Sequence, residues 1–316
     1  AEEAYRTALS LNSDYRGVWY NLGNNAYRQQ RYQEAIDFYR KEQEKHPSAS
    51  TLVSMGWAYV ALDEVDSARQ TYEQALVVDS THALAYARLG QLYEDEGDLE
   101  QALEYSRRAL ELEPEKANYQ YVVGAQLLRL GRPAEAIDYL KAVAKARPWH
   151  RGAHYNLGQA LMRIGRQEEA ERYLADADSL EVLQSEIEQL QSVAQNNPEH
   201  PSSWRELGKA LRQAGRLEEA QEAYGVALYL DPGDPTLRNQ IAMLMAERGN
   251  YEAAVAHYRA LLHQYPNFED GWFNLGVVYA RSGETAKAER VWQRVLEQNP
   301  DHQRAKDYLA RLTNGS

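Results

Sequence analysis

The side chains that could do chemistry are histidines and carboxylates, because the 316-residue chain has no cysteine and therefore no thiolate nucleophile or ligand. His150 and His154 stand four residues apart, a spacing that suggests a metal site. His150 falls in a predicted turn and His154 at a core-facing helical position, so the two imidazoles are not expected to act together. No His-Glu-x-x-His pattern and no phosphate-binding glycine loop occurs. We therefore predict no metal site, no cofactor and no catalytic residue.

A run of three carboxylates, from Glu94 to Glu96, is typical of the solvated end of a helix. Acid–base catalysis would need an apolar pocket that shifts the pKa of one of them, and the surrounding residues provide none. The segment 231–235 combines aspartate, proline and glycine and is typical of a turn. The chain is accordingly predicted not to be an enzyme.

Composition limits the remaining classes of function. A net charge of -12 argues against a nucleic-acid binder, since neutralising phosphates requires an excess of Lys and Arg. No stretch approaches the roughly 18 consecutive apolar residues of a membrane span, so we expect a soluble chain without membrane insertion. The compartment stays open, with the cytoplasm favoured over the periplasm or export. Abundant Ala, Leu, Glu, Gln and Arg favour amphipathic helices over strands.

A repeat of about 34 residues organises these helices. A glycine in a fixed local setting recurs along the chain, at Gly23, Gly56, Gly90, Gly124, Gly158, Gly208 and Gly276. An alanine keeps the same interval, at Ala35, Ala68, Ala102, Ala136, Ala170, Ala220, Ala254 and Ala288. Small residues at these positions would let neighbouring helices approach closely, so each unit is predicted to be two helices that bury their apolar stripes against each other.

Segments such as 19–23, 204–208 and 272–276, each a tryptophan followed by a leucine–glycine pair, resemble the tetratricopeptide repeat family. The resemblance covers nearly the whole chain. It implies an all-α fold, a right-handed α-solenoid of stacked antiparallel helix pairs. Five glycines then fall where a first helix must end and turn back, namely Gly131, Gly165, Gly215, Gly249 and Gly283.

The repeats give a domain layout. We expect the second helix of a truncated repeat at 1–15, repeats 1–5 at 16–175, an inserted or degenerate-repeat helix at 176–200, repeats 6–8 at 201–302, and a capping helix with a tail at 303–316. The insertion is read from the 50-residue step between Gly158 and Gly208. A second irregularity is Glu42, which stands where most repeats have alanine. Because buried carboxylates are rare, we expect Glu42 to be solvated at a slightly rotated interface.

The resemblance also implies a peptide-binding concave face, formed by first-helix residues that do not pack in the core. Carried over position by position, this face comprises Tyr20, Asn21, Asn24, Tyr27, Arg28, Trp57, Arg88, Tyr121, Arg129, Tyr155, Asn156, Gln159, Arg163, Phe273, Asn274 and Arg281. Aromatic side chains are common interface anchors. Three equivalent asparagines could pair with the amides of a peptide, and four equivalent arginines could pair with carboxylates or could simply complement helix C-termini.

These features predict a non-catalytic scaffold that binds a peptide or protein segment on the concave face, with a partner that could carry an acidic segment. Two alternatives remain open. The chain could be a self-assembly module forming homo-oligomers through its truncated first helix or inserted helix. It could also be the regulatory or targeting region of a larger enzyme, since it begins in mid-repeat.

Overall fold

The computed structural model describes residues 2–11 and 14–314, which form 18 helices and no strand. Two units divide the chain after Ala177. Unit 1 contains α1 (Glu2–Leu11), α2 (Val18–Arg28), α3 (Tyr32–Lys45), α4 (Ala49–Ala61), α5 (Val65–Val78), α6 (Ala83–Asp95), α7 (Leu99–Leu112), α8 (Ala117–Arg129), α9 (Pro133–Ala146), α10 (Arg151–Arg163) and the first part of α11 (Gln167–Asn196).

Unit 2 begins within α11 and continues with regular helix pairs. It contains α12 (Pro201–Gln213), α13 (Leu217–Leu230), α14 (Pro235–Glu247), α15 (Tyr251–Gln264), α16 (Glu269–Arg281), α17 (Thr285–Gln298) and α18 (Gln303–Asn314). The predicted all-α solenoid of stacked antiparallel helix pairs is confirmed. We call α2, α4, α6, α8, α10, α12, α14 and α16 the first helices, and the helix that follows each one its second helix.

Close approach within a pair depends on the recurring glycine of the first helix. A Cβ atom built on Gly158 would lie 2.7 Å from Leu174 Cγ, and one on Gly208 would lie 2.5 Å from Tyr224 Cδ1. Both distances are far shorter than a carbon–carbon contact permits. The recurring alanines of the second helices are all completely buried. The predicted roles of these small residues in packing are therefore confirmed.

The turn inside each pair places one residue in the left-handed region. Six repeats use glycine there, including the five predicted positions, with Gly131 at φ 73° as an example. The first two repeats use Gln30 and Asp63 instead, at φ 61° and 62°. The turn geometry is thus the same in these repeats even where the glycine is missing.

The buried core of each unit is formed by both helices of every pair. In unit 1 it includes Leu22, Tyr39, Leu89, Leu127 and Leu157. In unit 2 it includes Leu211, Tyr224, Tyr258, Leu275 and Trp292. One face of each first helix packs in this core.

Glu42 is not solvated, contrary to the expectation from its charge. Its side chain is 3% exposed and accepts hydrogen bonds from the backbone N–H groups of Gly17 at 2.8 Å and Tyr20 at 3.3 Å. These N–H groups belong to the first turn of α2, which has no hydrogen-bonding side-chain cap of its own. The carboxylate is buried because it completes the start of the neighbouring helix.

Three segments of the expected layout can be placed. Residues 176–200 form the later part of the 30-residue α11 and the turn after it. Within 1–15, α1 covers 2–11, and within 303–316, α18 covers 303–314. Residues 1, 12–13 and 315–316, which include the end of the expected tail, lie outside the described residues.

Candidate protein-binding face

The first helices carry all sixteen residues expected on the binding face. Thirteen of them lie in unit 1, on α2, α4, α6, α8 and α10, and three lie in unit 2, on α16. We call the unit 1 set, from Tyr20 to Arg163, the first-helix face. The unit 2 residues are described separately.

Three side chains from successive first helices stack on one another in unit 1. The rings of Tyr27 and Trp57 are parallel to within 22°, with centroids 6.5 Å apart. The guanidinium of Arg88 lies 4.1 Å from the Trp57 ring centroid, a cation–π arrangement. Trp57 remains 41% exposed. The structure therefore brings Tyr27, Trp57 and Arg88 together with an aromatic surface open to solvent.

Helix α2 contributes a polar patch. Tyr39 donates its hydroxyl hydrogen to Asn24 Oδ1 at 2.8 Å, and Ser54 Oγ donates to the Tyr20 hydroxyl at 3.3 Å. Asn24 and Tyr20 are thereby held in place by neighbouring elements. Asn21 and Arg28 are exposed.

A second group forms where α8 meets α10. Asn156 Nδ2 donates to the Tyr121 hydroxyl at 3.4 Å, and the Tyr121 ring lies 4.5 Å from that of His150. Burial raises the pKa of the Tyr121 hydroxyl, and the bond from Asn156 acts in the opposite direction. Tyr155 is 44% exposed, and Gln159 is half-buried one turn further along α10. This group combines an exposed ring with oriented amides.

The four equivalent arginines do not act as a set. Arg129 pairs with Glu94, which also accepts a hydrogen bond from Gln126 Nε2 at 2.7 Å. Arg163 donates to the backbone oxygen of Leu128 at 2.9 Å. Glu94 is thus half-buried and paired rather than part of a solvated carboxylate run. The guanidiniums of Arg28 and Arg281 form no ion pair with the described carboxylates.

Phe273 is not on an accessible face, and its place in the expected contact set is wrong. The ring is fully buried, 5.1 Å from the His302 ring and 5.4 Å from the Tyr308 ring. Arg304 covers it as well, at 4.2 Å. The reason is that His302 and the helix that follows it, α18, cover the Phe273 ring.

The other two unit 2 residues differ from each other. Asn274 Nδ2 donates a hydrogen bond to Asn239 Oδ1 at 2.9 Å, so this amide group is bonded to another residue of unit 2. Arg281 is exposed. Together with buried Phe273, these residues do not form a counterpart of the first-helix face.

Sequence reasoning missed a cavity of about 730 Å³ in unit 1, lined by α6, α7, α8 and the turn between α7 and α8. The signal was present in the sequence. Ser106 stands at a second-helix position where the other repeats have a large side chain. Comparing second helices position by position would have identified it.

The described residues were compared with the requirements of a metal site and of a membrane-spanning helix. Across 2–11 and 14–314, no three His, Cys, Asp or Glu side chains are grouped so as to hold a metal ion. His154 is 8% exposed, as its core-facing position predicted. None of the described helices has both the length and the apolarity that a membrane crossing requires.

Sequence models of the tetratricopeptide repeat match most of the chain, at residues 1–50, 51–84, 83–116, 127–192, 187–235 and 245–312. The chain belongs to the tetratricopeptide repeat family. The matched segments include the first helices α2, α4, α6 and α10 of the first-helix face, whereas α8 falls almost entirely between two matches. Members of this family typically act as protein-interaction scaffolds rather than as catalysts.

Parts of this chain are similar to known proteins. Protein bimA of Emericella nidulans is 29% identical over 101 residues, which is 32% of this chain and only 12% of the length of bimA. Among solved structures, YrrB, described as a TPR protein with an unusual peptide-binding site, is 25% identical, with a TM-score of 0.49 over 57% of this chain and 93% of YrrB. MamA is 24% identical, with a TM-score of 0.47 over 52% of this chain and 96% of MamA.

Proposed function

We propose that this protein is a non-catalytic scaffold that binds a segment of a partner polypeptide on the first-helix face of unit 1. Family membership and fold support an interaction role in general. The choice of face rests on one observation, the exposed aromatic stack of Tyr27, Trp57 and Arg88, whose tryptophan is 41% exposed. An aromatic ring held rigid by its neighbours loses little entropy on binding, which is why such rings serve as anchors.

Oriented polar groups beside the anchors suit a polypeptide. Tyr155 presents an exposed ring next to Asn156, and the hydrogen bond from Asn156 to Tyr121 fixes the amide. The Asn156 side-chain oxygen can still accept a backbone N–H of a bound chain. This combination of rings and amides recognises peptide bonds together with apolar side chains.

An acidic segment would complement the cations on this face. Arg28 and Arg88 form no ion pair with any described carboxylate, whereas Arg129 is already paired with Glu94. We therefore assign attraction of an acidic partner to Arg28 and Arg88 and not to the full set of four equivalent arginines.

The test compares affinity capture from an extract of the source organism by three immobilised proteins. The wild type and Tyr229→Ala, which truncates an 85% exposed tyrosine on the second helix α13 of unit 2, should retain the same partner. The double variant Tyr155→Ala/Asn156→Ala should lose it while its thermal unfolding stays cooperative. Retention of the partner by the folded double variant would contradict the assignment of the site.

A further inference from the structure

The cavity of about 730 Å³ in unit 1 has the size of a ligand site. Its walls come from α6, α7, α8 and the turn between the last two, and they include Ala87, Arg88, Gln91, Ser106, Tyr119 and Tyr121. Arg88 also belongs to the aromatic stack, so the cavity adjoins the proposed binding face.

The cavity exists because the third repeat lacks a large side chain. At the position equivalent to Ser106, every other second helix has a ring or a leucine, namely Tyr39, Tyr72, Leu140, Leu174, Tyr224, Tyr258 and Trp292. All of these except Tyr258 lie against the recurring glycine of their first helix, as Tyr224 does against Gly208. In the third repeat the side chain beside Gly90 is the small one of Ser106, whose Oγ would lie 2.7 Å from an added Cβ.

The tyrosines of other repeats show what fits there. Tyr39 lies 5.9 Å from the Tyr20 ring and donates to Asn24, and Tyr258 donates to Asn239 Oδ1 at 3.1 Å. In the third repeat, Ala87 is equivalent to Tyr20 and Asn239, and Gln91 is equivalent to Asn24.

Both equivalents line the cavity. By equivalence between repeats, the open space therefore includes the place of a tyrosine ring, and the small side chain of Ala87 leaves further room. The chain itself therefore indicates that an aromatic ring is the matching shape.

Two polar atoms at the cavity have no hydrogen-bond partner among the described residues. Ser106 is 3% exposed, and its Oγ has no hydrogen-bond partner among the described residues. Arg88 donates through Nη1 to Gln91 Oε1 at 2.8 Å, but its Nε is buried without a partner. A half-buried guanidinium without a counter-ion is unfavourable, and an anion beside it would offset the cost.

Carboxylates also line the cavity and have to be considered. Glu94 is already paired with Arg129, and Glu113 lies 3.0 Å from the Lys116 ammonium. Asp95 is exposed to solvent. Arg88 is thus the cation at the cavity whose charge no described carboxylate neutralises directly.

We propose that this cavity receives an aromatic side chain of the bound polypeptide, with an adjacent carboxylate of that polypeptide paired to Arg88. This deepens the proposed function and rests on it, since it names the kind of residue that the partner inserts. The inserted ring occupies the place that Tyr39, Tyr72, Tyr224 and Tyr258 fill in their own repeats. Its hydrogen-bonding groups, or an ordered water, reach Ser106.

The direct test uses two small probes and does not require the partner. Fluorine NMR would follow the binding of 4-fluorophenylacetate and of its neutral amide, 4-fluorophenylacetamide, to the full chain. The wild type should bind both, and the acetate more tightly. Arg88→Gln should weaken the acetate by about tenfold and leave the amide unchanged, because only the acetate forms a charge-assisted bond.

Filling the cavity is the decisive variant. Ser106→Tyr restores the ring of the other repeats and should abolish binding of both probes, with a thermal midpoint at or above that of the wild type. Ser106→Leu, which copies Leu140 and Leu174, serves the same purpose should the tyrosine variant fail to fold. Ser202→Tyr, at an exposed position on α12, is the matched control and should bind like the wild type.

Two outcomes of the probe experiment would overturn the proposal. One is absence of probe binding to the wild type, and the other is binding to a folded Ser106→Tyr or Ser106→Leu variant that equals binding to the wild type. Neither outcome would contradict the proposed function, because the capture experiment with the Tyr155→Ala/Asn156→Ala variant tests that function separately. A peptide pair distinguishes the source of the ring. An acetylated, amidated Glu-Tyr-Glu peptide should compete with the acetate and Glu-Ala-Glu should not, whereas failure of both would overturn the assignment of a polypeptide side chain in favour of a free aryl acid.

Discussion

At the scale of single residues, Glu42 shows how a charge can be buried for a structural reason. Most other second helices have alanine at this position, and Ala75, Ala109 and Ala227 are fully buried there. Glu42 instead reaches the backbone at the start of α2, where Gly17 adopts φ 81°. The carboxylate takes the role of a helix cap supplied from another helix.

Removing that cap should be costly. Glu42→Ala leaves two N–H groups of α2 without an acceptor in a buried place, so we expect the free energy of unfolding to fall by about 2–3 kcal/mol. Urea unfolding measures this. Glu44→Ala, at an exposed position of the same helix, should change stability by less than about 0.5 kcal/mol. Equal effects of the two substitutions would show that Glu42 has no capping role.

His150 makes the stability depend on pH. Burial lowers the pKa of its imidazole below the usual value of 6.5, and its Nδ1 accepts a hydrogen bond from the Ala153 N–H at 3.1 Å. Below about pH 6.5 the unfolded chain takes up a proton that the folded imidazole resists, so stability present above that pH is lost on acidification.

The thermal midpoint of unfolding should accordingly decrease as the pH is lowered from about 8 to about 5. His150→Asn keeps a side-chain oxygen for the Ala153 N–H but does not titrate, so its midpoint should fall less. His257, whose pKa burial also lowers, accounts for part of the remaining fall. An identical pH dependence in wild type and His150→Asn would contradict this role.

At the scale of elements, helix pairing is governed by small residues and by one special turn position. Gln30 and Asp63 adopt left-handed conformations that glycine adopts in the other turns. An L-residue is strained there by about 1–2 kcal/mol, although glycine also gives the unfolded chain more freedom.

Gln30→Gly and Asp63→Gly should therefore each stabilise the protein by about 0.5–1 kcal/mol. The reverse change, Gly131→Ala at φ 73°, should destabilise it by a similar amount. Chemical denaturation of the three variants provides the measurement. A loss of stability in both glycine variants would mean that side-chain contacts, not backbone strain, determine these turns.

The first-helix glycines make a complementary prediction about packing. Gly158→Ala would place Cβ 2.7 Å from Leu174 Cγ, so overpacking should lower the free energy of unfolding by about 1–3 kcal/mol. Gly225 lies on α13 with no atom within 4 Å of an added Cβ, and Gly225→Ala should raise stability by about 0.5–1 kcal/mol. Thermal unfolding measures both changes in stability. A loss for Gly158→Ala and a gain for Gly225→Ala would distinguish the effect of packing from that of helix propensity.

The helix pairs could be predicted from the sequence because their glycine and alanine markers act locally and recur at one period. The site could be predicted only in part. Phe273 has the first-helix position of an accessible residue, but it is covered by His302 and by Tyr308 of α18. Glu42 was misjudged for the same physical reason, since its partners come from α2. The residue periodicity of one helix does not show which of its side chains another element will cover.

At the scale of the whole molecule, each unit uses one face of its first helices for its core, and the first helices of unit 1 present aromatic, amide and cationic groups on the other. The stack of Tyr27, Trp57 and Arg88 and the pair of Tyr155 and Asn156 lie on first helices of the same unit. The cavity at Ser106 adjoins the stack through Arg88. Together they would give a partner an anchor, oriented amides and a specific pocket.

Site-specific photo-crosslinking tests the binding face most directly. The photoreactive residue p-benzoylphenylalanine would replace Tyr155 in one protein and the exposed α13 residue Tyr229 in another, and both would be irradiated in extract of the source organism. The account predicts that the partner captured by the wild type is crosslinked at position 155 and not at position 229. Crosslinking of that partner at 229, with none at 155, would contradict it.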